Sequence, residues 1–383
     1  MSGDNGARTL IALIGLGIVN HTVLAGTRVI VSLQALSLGA SAAVVGLLLA
    51  LYALLPMLIA VAAGRFSDRV GVRKPMLAGS VALALAAALP AIAPGMPALY
   101  VAAPMLGVAF TVFQVAAQNA AGGLGGPSYR ARNFGMLALG YSVSLFVGPL
   151  LAGFSIDHFG HRTAFALLAG LPIVPALVLA SGRLALPGPH PRARVGGHGG
   201  MFELLADPKL RRLFAINSLF VLGWDLHTIF IPLYGTSIGL SASRIGVVLA
   251  AFAAATFVVR FAMPIIARRT GEERVLTTAL LVAGVAYLAF PLARDATLLT
   301  CVSFVLGLGL GSGQPMVMAL LALHAPDGRM GEAAGVRMAL TQSLAVVVPL
   351  VFGAFGATFG LAPVLWAVGV SLTAGGVVAR RTG

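Results

Sequence analysis

The sequence predicts an all-α membrane protein of twelve transmembrane helices, arranged as two pseudo-symmetric halves of six. Three observations predict it: the composition, the spacing of the apolar runs and an internal repeat. Of the 383 residues, 59% are hydrophobic and only 9% charged, and the mean hydropathy is +0.98. Soluble domains run nearer half apolar and a quarter charged. A water-soluble core of this size could not hide so much apolar surface, so lipid is the expected solvent.

Apolar runs of about 20 residues recur from Leu10 almost to the last residue, each long enough to cross a ~30 Å hydrocarbon layer as a helix. They place spans at 10–34, 41–63, 75–94, 98–120, 135–156, 163–181, 213–235, 241–266, 275–293, 297–322, 333–356 and 360–379. The first run leads straight into others without a small-residue cleavage site, so it reads as a span and not as a leader. The formal charge of +14 suggests nucleic acid only until its position is considered. Of the 25 Lys and Arg, 19 fall at alternate loops, ends and helix edges, three face the other side (Arg162, Arg244, Arg294) and three lie within spans (Arg28, Arg260, Arg337). This asymmetry is the positive-inside pattern. It puts both termini in the cytoplasm and leaves anionic lipid, not nucleic acid, as the partner of the basic excess. A bacterial inner membrane is the expected location.

Shifting the chain by 200 residues lays it onto itself. "LQALSLGASAAVVGLLLALYA" (33–53) and "LYGTSIGLSASRIGVVLAAFA" (233–253) share nine identities in 21 positions. The same offset pairs Gly107 with Gly307, Gln114 with Gln314, Gly135 with Gly335, Pro149 with Pro349, Gly153 with Gly353 and Gly160 with Gly360. Six spans per half give both copies one orientation, the parallel-repeat plan of many secondary transporters, whose sites lie between the repeats near midplane. The expected organisation is an N-terminal bundle (1–181), a linker rich in Pro, Gly and Arg that ends in a short surface helix (182–212), and a C-terminal bundle (213–383).

Polar side chains are costly against lipid and mark the interior or a wet path. They concentrate in span one (Asn20, His21, Thr22, Thr27, Arg28), span four (Thr111, Gln114, Gln118, Asn119), span seven (Asn217, Asp225, His227, Thr228) and span ten (Ser303, Ser312, Gln314). Spans three and six carry almost none. Asn20 and Thr27, like His21 and Arg28, are seven apart and share a helix face. Arg28 lies about 9 Å from midspan, at 1.5 Å per residue. It is read either as a substrate group or as a tie to another helix. Asp225 is the only carboxylate deep in any span; it is read as a proton carrier, the alternative being a fixed pair with Arg28 or Arg337. His21 and His227 titrate near neutral pH when unperturbed, yet a lone histidine is more often a satisfied donor. Gln114, Gln118 and Gln314 bind ligand or bridge helices. Arg337, about one turn inside its span, can reach the surface or pair with Glu332, and Arg260, near the same edge, reads as structural.

"GRFSDRVGVRKP" (64–75) resembles the signature loop between helices two and three of the major facilitator superfamily, through Gly64, Asp68, Arg69, Gly71, Arg73 and Lys74. The resemblance extends over almost the whole chain and implies the major facilitator fold. It also implies that this cluster is a cytoplasmic gate whose contacts break and re-form. In the second half, "PIIARRTGEER" has Pro264 and Arg268 in place of Gly64 and Asp68. "GYSVSLFVGPLLAG" (140–153) looks like the antiporter motif of drug/proton exchangers, with Gly140, Gly148, Pro149 and Gly153 bending and packing the helix. Many such exporters carry an arginine ahead of the glycine at Gly107, where this chain has "AAPMLG"; coupling through that group is absent here.

"GGLGG" (122–126) follows no strand and precedes no Lys-Ser/Thr, so ATP-driven transport has no support. No metal-ligand cluster, cofactor motif or nucleophile–base pair is present, and the single Cys301 reads as packing. The expectation is a monomeric, proton-coupled secondary transporter and not an enzyme. It would export small amphiphilic compounds, anionic ones included, through a site near Asn20, Arg28, Gln114, Asp225 and Gln314. A proton-coupled importer of an organic anion is the alternative, and a non-transporting receptor a remote one.

Overall fold

A computed structural model describes residues 3–125, 129–188, 201–326 and 330–381. The described residues are almost wholly helical and hold no strand. The helices are α1 (Gly3–Ser37), α2 (Ala42–Val70), α3 (Arg73–Ile92), α4 (Met96–Gly123), α5 (Arg130–Gly170), α6 (Ile173–Ala180), α7 (Met201–Ala206), α8 (Pro208–Ser237), α9 (Ala242–Thr270), α10 (Glu272–Ala289), α11 (Ala296–His324), α12 (Met330–Phe359) and α13 (Leu361–Arg381). Among the described residues, eleven helical stretches are long and apolar enough to cross a membrane. One of them, 132–180, is 49 residues long and is broken at Gly160, which has φ +77° and ψ 168°. A positive φ costs an L-residue but not glycine. The stretch therefore turns back there and makes two crossings, giving twelve. The sequence places this break between 156 and 163, and the structure narrows it to the single residue Gly160.

The same offset of 200 governs the turns. Gly39 and Gly239 (φ 82° and 76°), Gly71 and Gly271 (81° and 81°), and Gly160 and Gly360 (77° and 82°) all adopt the left-handed conformation. Three loop geometries recur in register, each at a position that only glycine fills without strain. Helix starts are capped by local carboxylates: Asp207 accepts from the Lys209 and Leu210 amides (2.7 and 3.1 Å), and Asp295 from that of Leu298 (2.9 Å).

The chain divides into two compact units. The first holds 1–40, 51–193 and 241–250; the second holds 41–50, 194–240 and 251–383. Part of the linker, 189–200, lies outside the described residues. Sequence halves and units thus differ at two short segments, the first turns of α2 and α9. In the first unit, a Cβ on Gly153 of α5 would meet the Ala242 carbonyl, and one on Gly246 of α9 would meet that of Pro149. In the second unit, Gly46 of α2 stands equally close to the Pro349 carbonyl, and Gly353 of α12 to that of Ala42. Small residues let helix backbones touch, and this drives packing in lipid, where no hydrophobic force acts between helices. Asp157 adds a polar tie: its carboxylate accepts from the Ala242 amide (3.1 Å) and the Ser243 amide (2.8 Å). A negative charge is favoured at these exposed N–H groups of the α9 start. Position 357, its repeat partner, is alanine.

Candidate functional site

Each unit carries an arginine laid over an aromatic ring. In the first, the Arg28 guanidinium of α1 stands 5.6 Å from the centre of the Tyr52 ring of α2. In the second, Arg260 of α9 stands 5.7 Å from the Trp224 ring of α8. Cation and ring have exchanged helices between the two copies: the arginine is on the first helix of one repeat and on the second helix of the other. The ring's negative face replaces part of the water that a cation gives up on leaving bulk solvent.

Glycines set the depth of these rings. A Cβ on Gly107 of α4 would strike the Tyr52 carbonyl oxygen and lie 2.9 Å from its carbon. A Cβ on Gly307 of α11 would strike the Phe252 carbonyl oxygen. Gly107 thus seats Tyr52 beneath Arg28. Gly307 seats Phe252 against His227, whose ring stacks on it at 4.3 Å and 24°, and against Trp224, at 4.8 Å and 74°. The repeat identified both glycines; the packing gives them their task.

In the second unit, Arg260 also donates from Nε to the Gly311 carbonyl (3.3 Å) and from Nη2 to Gln314 Oε1 (3.4 Å). Gln314 is thereby joined to Trp224 through the Arg260 side chain. The available signal was Trp224, one of only two tryptophans, placed beside Asp225. Asp225 itself is half-buried on α8, with Oδ2 shielded from solvent. It acts electrostatically on Tyr287, whose hydroxyl donates to the Gly223 carbonyl. His227 is fully buried between Phe252 and Ser303, with Nε2 3.1 Å from the serine hydroxyl.

Other expected site residues have other surroundings. Asn20 is fully buried and donates its amide to Ser80 of α3 at 2.9 Å, a contact inside the bundle. His21 lies between Phe110 and Tyr141, with ring centres 5.2 and 4.8 Å away. Gln114 and Gln118 are half-buried on α4. Arg337 is 8% exposed, and among the described residues its Nε has no hydrogen-bond partner; it is buried where its place in the sequence allows a route to the surface. The side chains of Glu332, Pro264 and Arg268 lie outside the described residues.

The loop cluster divides by task. Asp68 accepts from the Asn119 amide of α4 at 3.2 Å. Gly71 makes the left-handed turn into α3. Arg73 donates to the Leu179 and Leu184 carbonyls, sealing the end of α6 against the start of the linker. Arg69 closes α2 in its last turn, and Lys74 lies in the first turn of α3. In the antiporter-type stretch, Gly140 abuts Ile14 and Gly148 abuts Ala25 and Gly26, all on α1, while Gly153 and Pro149 face the α9 start.

Twelve crossings with ionisable groups held at bilayer depth define a polytopic membrane protein of the kind that moves solutes. Residues 13–349 match the model of the Major Facilitator Superfamily, and the chain belongs to that family. It is 29% identical over 332 residues to the tetracycline resistance protein, class G, of Vibrio anguillarum, covering 82% of this chain and 81% of that one. It is 27% identical over 342 residues to the class C protein of Escherichia coli, covering 85% and 84%. Among solved structures, it resembles a bacterial homologue of the human lysosomal transporter Spinster (TM-score 0.79, 16% identity, 100% and 98% covered). It also resembles a peptide transporter, POT, in complex with sulfate (0.80, 13%, 98% and 94%). The fold is that of the family's transporters.

Proposed function

We propose that this protein is a proton-coupled exporter of small amphiphilic organic compounds, working by alternating access in a bacterial inner membrane with both termini in the cytoplasm. The observation that carries the reading is Asp225. It is a carboxylate at span depth, on the same helix as Trp224 and next to it in sequence, and Trp224 is the ring under Arg260. A carboxyl so placed can exchange a proton, and a cation over an aromatic face offers a planar, partly charged solute both stacking and charge. Export, in preference to import, is supported by the similarity to tetracycline resistance proteins, which spans 82–85% of this chain. Arg28, Arg260 and Arg337 against one deep carboxylate favour substrates that carry negative charge.

Everted membrane vesicles test the reading. With an acid interior imposed, a fluorescent amphiphilic acid should accumulate, and a protonophore should discharge it within the same trace. Accumulation that persists without the gradient, or that needs ATP, would contradict the proposal.

A further inference from the structure

The second unit holds a cavity of about 450 Å³ at the face where α8 and α10 begin and α11 and α13 end. That volume suits a small ligand or a lipid headgroup. Its floor is Leu213, Ile216, Leu276 and Leu320, all buried; the polar walls are Lys209, Arg212, Glu273 and His324. The repeat explains why space exists here. In the first unit, position 73 is arginine, and its guanidinium closes the corresponding end by binding the Leu179 and Leu184 carbonyls. In the second, position 273 is glutamate. The carbonyl of Ala379, partner of Leu179, is met instead by Arg212 from α8. One plug has been exchanged for an acid, and an amphipathic pocket is left.

The charges in it are arranged by sign. Lys209 and Arg212 lie on α8, a single turn apart, whereas Glu273 lies in the first turn of α10 and His324 closes α11. His324 Nδ1 lies 2.9 Å from the Leu320 carbonyl. With the proton on Nδ1, the neutral ring presents Nε2 as an acceptor. One wall therefore offers donors to a phosphate, and the others offer a carboxylate and a ring nitrogen to a group with N–H bonds. Below them is an apolar floor.

We propose that this pocket binds a zwitterionic phosphoethanolamine group, with its phosphodiester on Lys209 and Arg212, its primary ammonium on Glu273 and His324, and its glycerol end on the leucines. A choline headgroup has the same charges but no N–H to donate. An acidic headgroup has nothing for Glu273. The inference is independent of the exporter reading, since none of these residues belongs to the Arg260–Trp224 group.

Thermal unfolding of the purified full-length protein, titrated with short-chain phosphatidylethanolamine, phosphatidylcholine and phosphatidylglycerol, tests it, because a ligand of the folded state raises the melting temperature by mass action. A charge-assisted hydrogen bond from the ammonium should make the apparent Kd for phosphatidylethanolamine roughly tenfold tighter than for phosphatidylcholine. Glu273→Gln should erase that difference, Lys209→Gln should weaken both lipids, and Glu272→Gln, one residue outside the pocket, should leave the preference intact. Free O-phosphoethanolamine identifies the source: a shift as large as the lipid's supports the site with a soluble ligand, and a smaller one supports it with the bilayer as supplier. Equal affinity for the ethanolamine and choline lipids, or a preference for phosphatidylglycerol that Glu273→Gln does not alter, would overturn the proposal.

Discussion

Valine in place of Gly107 will yield a protein that folds poorly and, where it folds, transports poorly. The new Cβ would overlap the Tyr52 carbonyl oxygen and lie 3.0 Å from Pro56 Cγ. Neither is the free end of a flexible chain, so α2 and α4 must separate. Overpacking a tight contact costs typically about 1–3 kcal/mol, and backbone against Cβ belongs at the top of that range. A loss of about 3 kcal/mol lowers the melting temperature by roughly 4 °C in a protein of this size. The separation also lifts the Tyr52 ring away from Arg28, so transport per folded molecule should fall as well. Gly307→Val should do the same through Phe252 and its stack on His227. Gly135→Val is the control, because a Cβ there meets nothing within 4 Å. Its melting temperature, by fluorescence-monitored unfolding in detergent, should match that of the parent. Equal shifts at positions 107 and 135 would show that close backbone approach does not hold the first unit together.

Removing the Arg260 guanidinium is the second large effect. Arg260 joins three helices: its plane lies over Trp224 of α8, Nε reaches the Gly311 carbonyl, and Nη2 reaches Gln314. A cation–π contact contributes about 0.5–2 kcal/mol depending on its exposure, and hydrogen bonds from a charged donor about 1.5–3 kcal/mol each. Arg260→Ala should cut transport at least roughly tenfold, the change that 1.4 kcal/mol produces. Arg260→Lys keeps the charge but loses the planar fork, so it should recover only part of the rate. A double-mutant cycle with Trp224→Leu separates site from scaffold. Coupling of about 1 kcal/mol in transport rate is expected; additive losses would mean that the ring and the cation act independently.

Arg260 also shows where the sequence stops being legible. Its place near the edge of a span reads as structural; only the fold shows that it lies over Trp224. Arg337 is the same lesson reversed, buried where its position allows a route to water. Asn20 shows that a polar residue in a span marks the interior without marking water, since Ser80 absorbs its amide. Spans, repeat and turns were legible because hydropathy and glycine placement are local properties of the chain. The repeat gave Gly107 and Gly307 as a pair, but not the carbonyls of residues 52 and 252 against which they pack, and no linear boundary shows that 41–50 and 241–250 belong to the units opposite their own halves.

Proton flow through the protein measures the proposed coupling most directly. In proteoliposomes with an imposed pH gradient, the parent should move protons against substrate. Asp225→Asn, which keeps the shape of the side chain but cannot ionise, should lose gradient-driven flux by roughly tenfold or more while still binding substrate. Gradient-driven flux undiminished in Asp225→Asn would contradict the account.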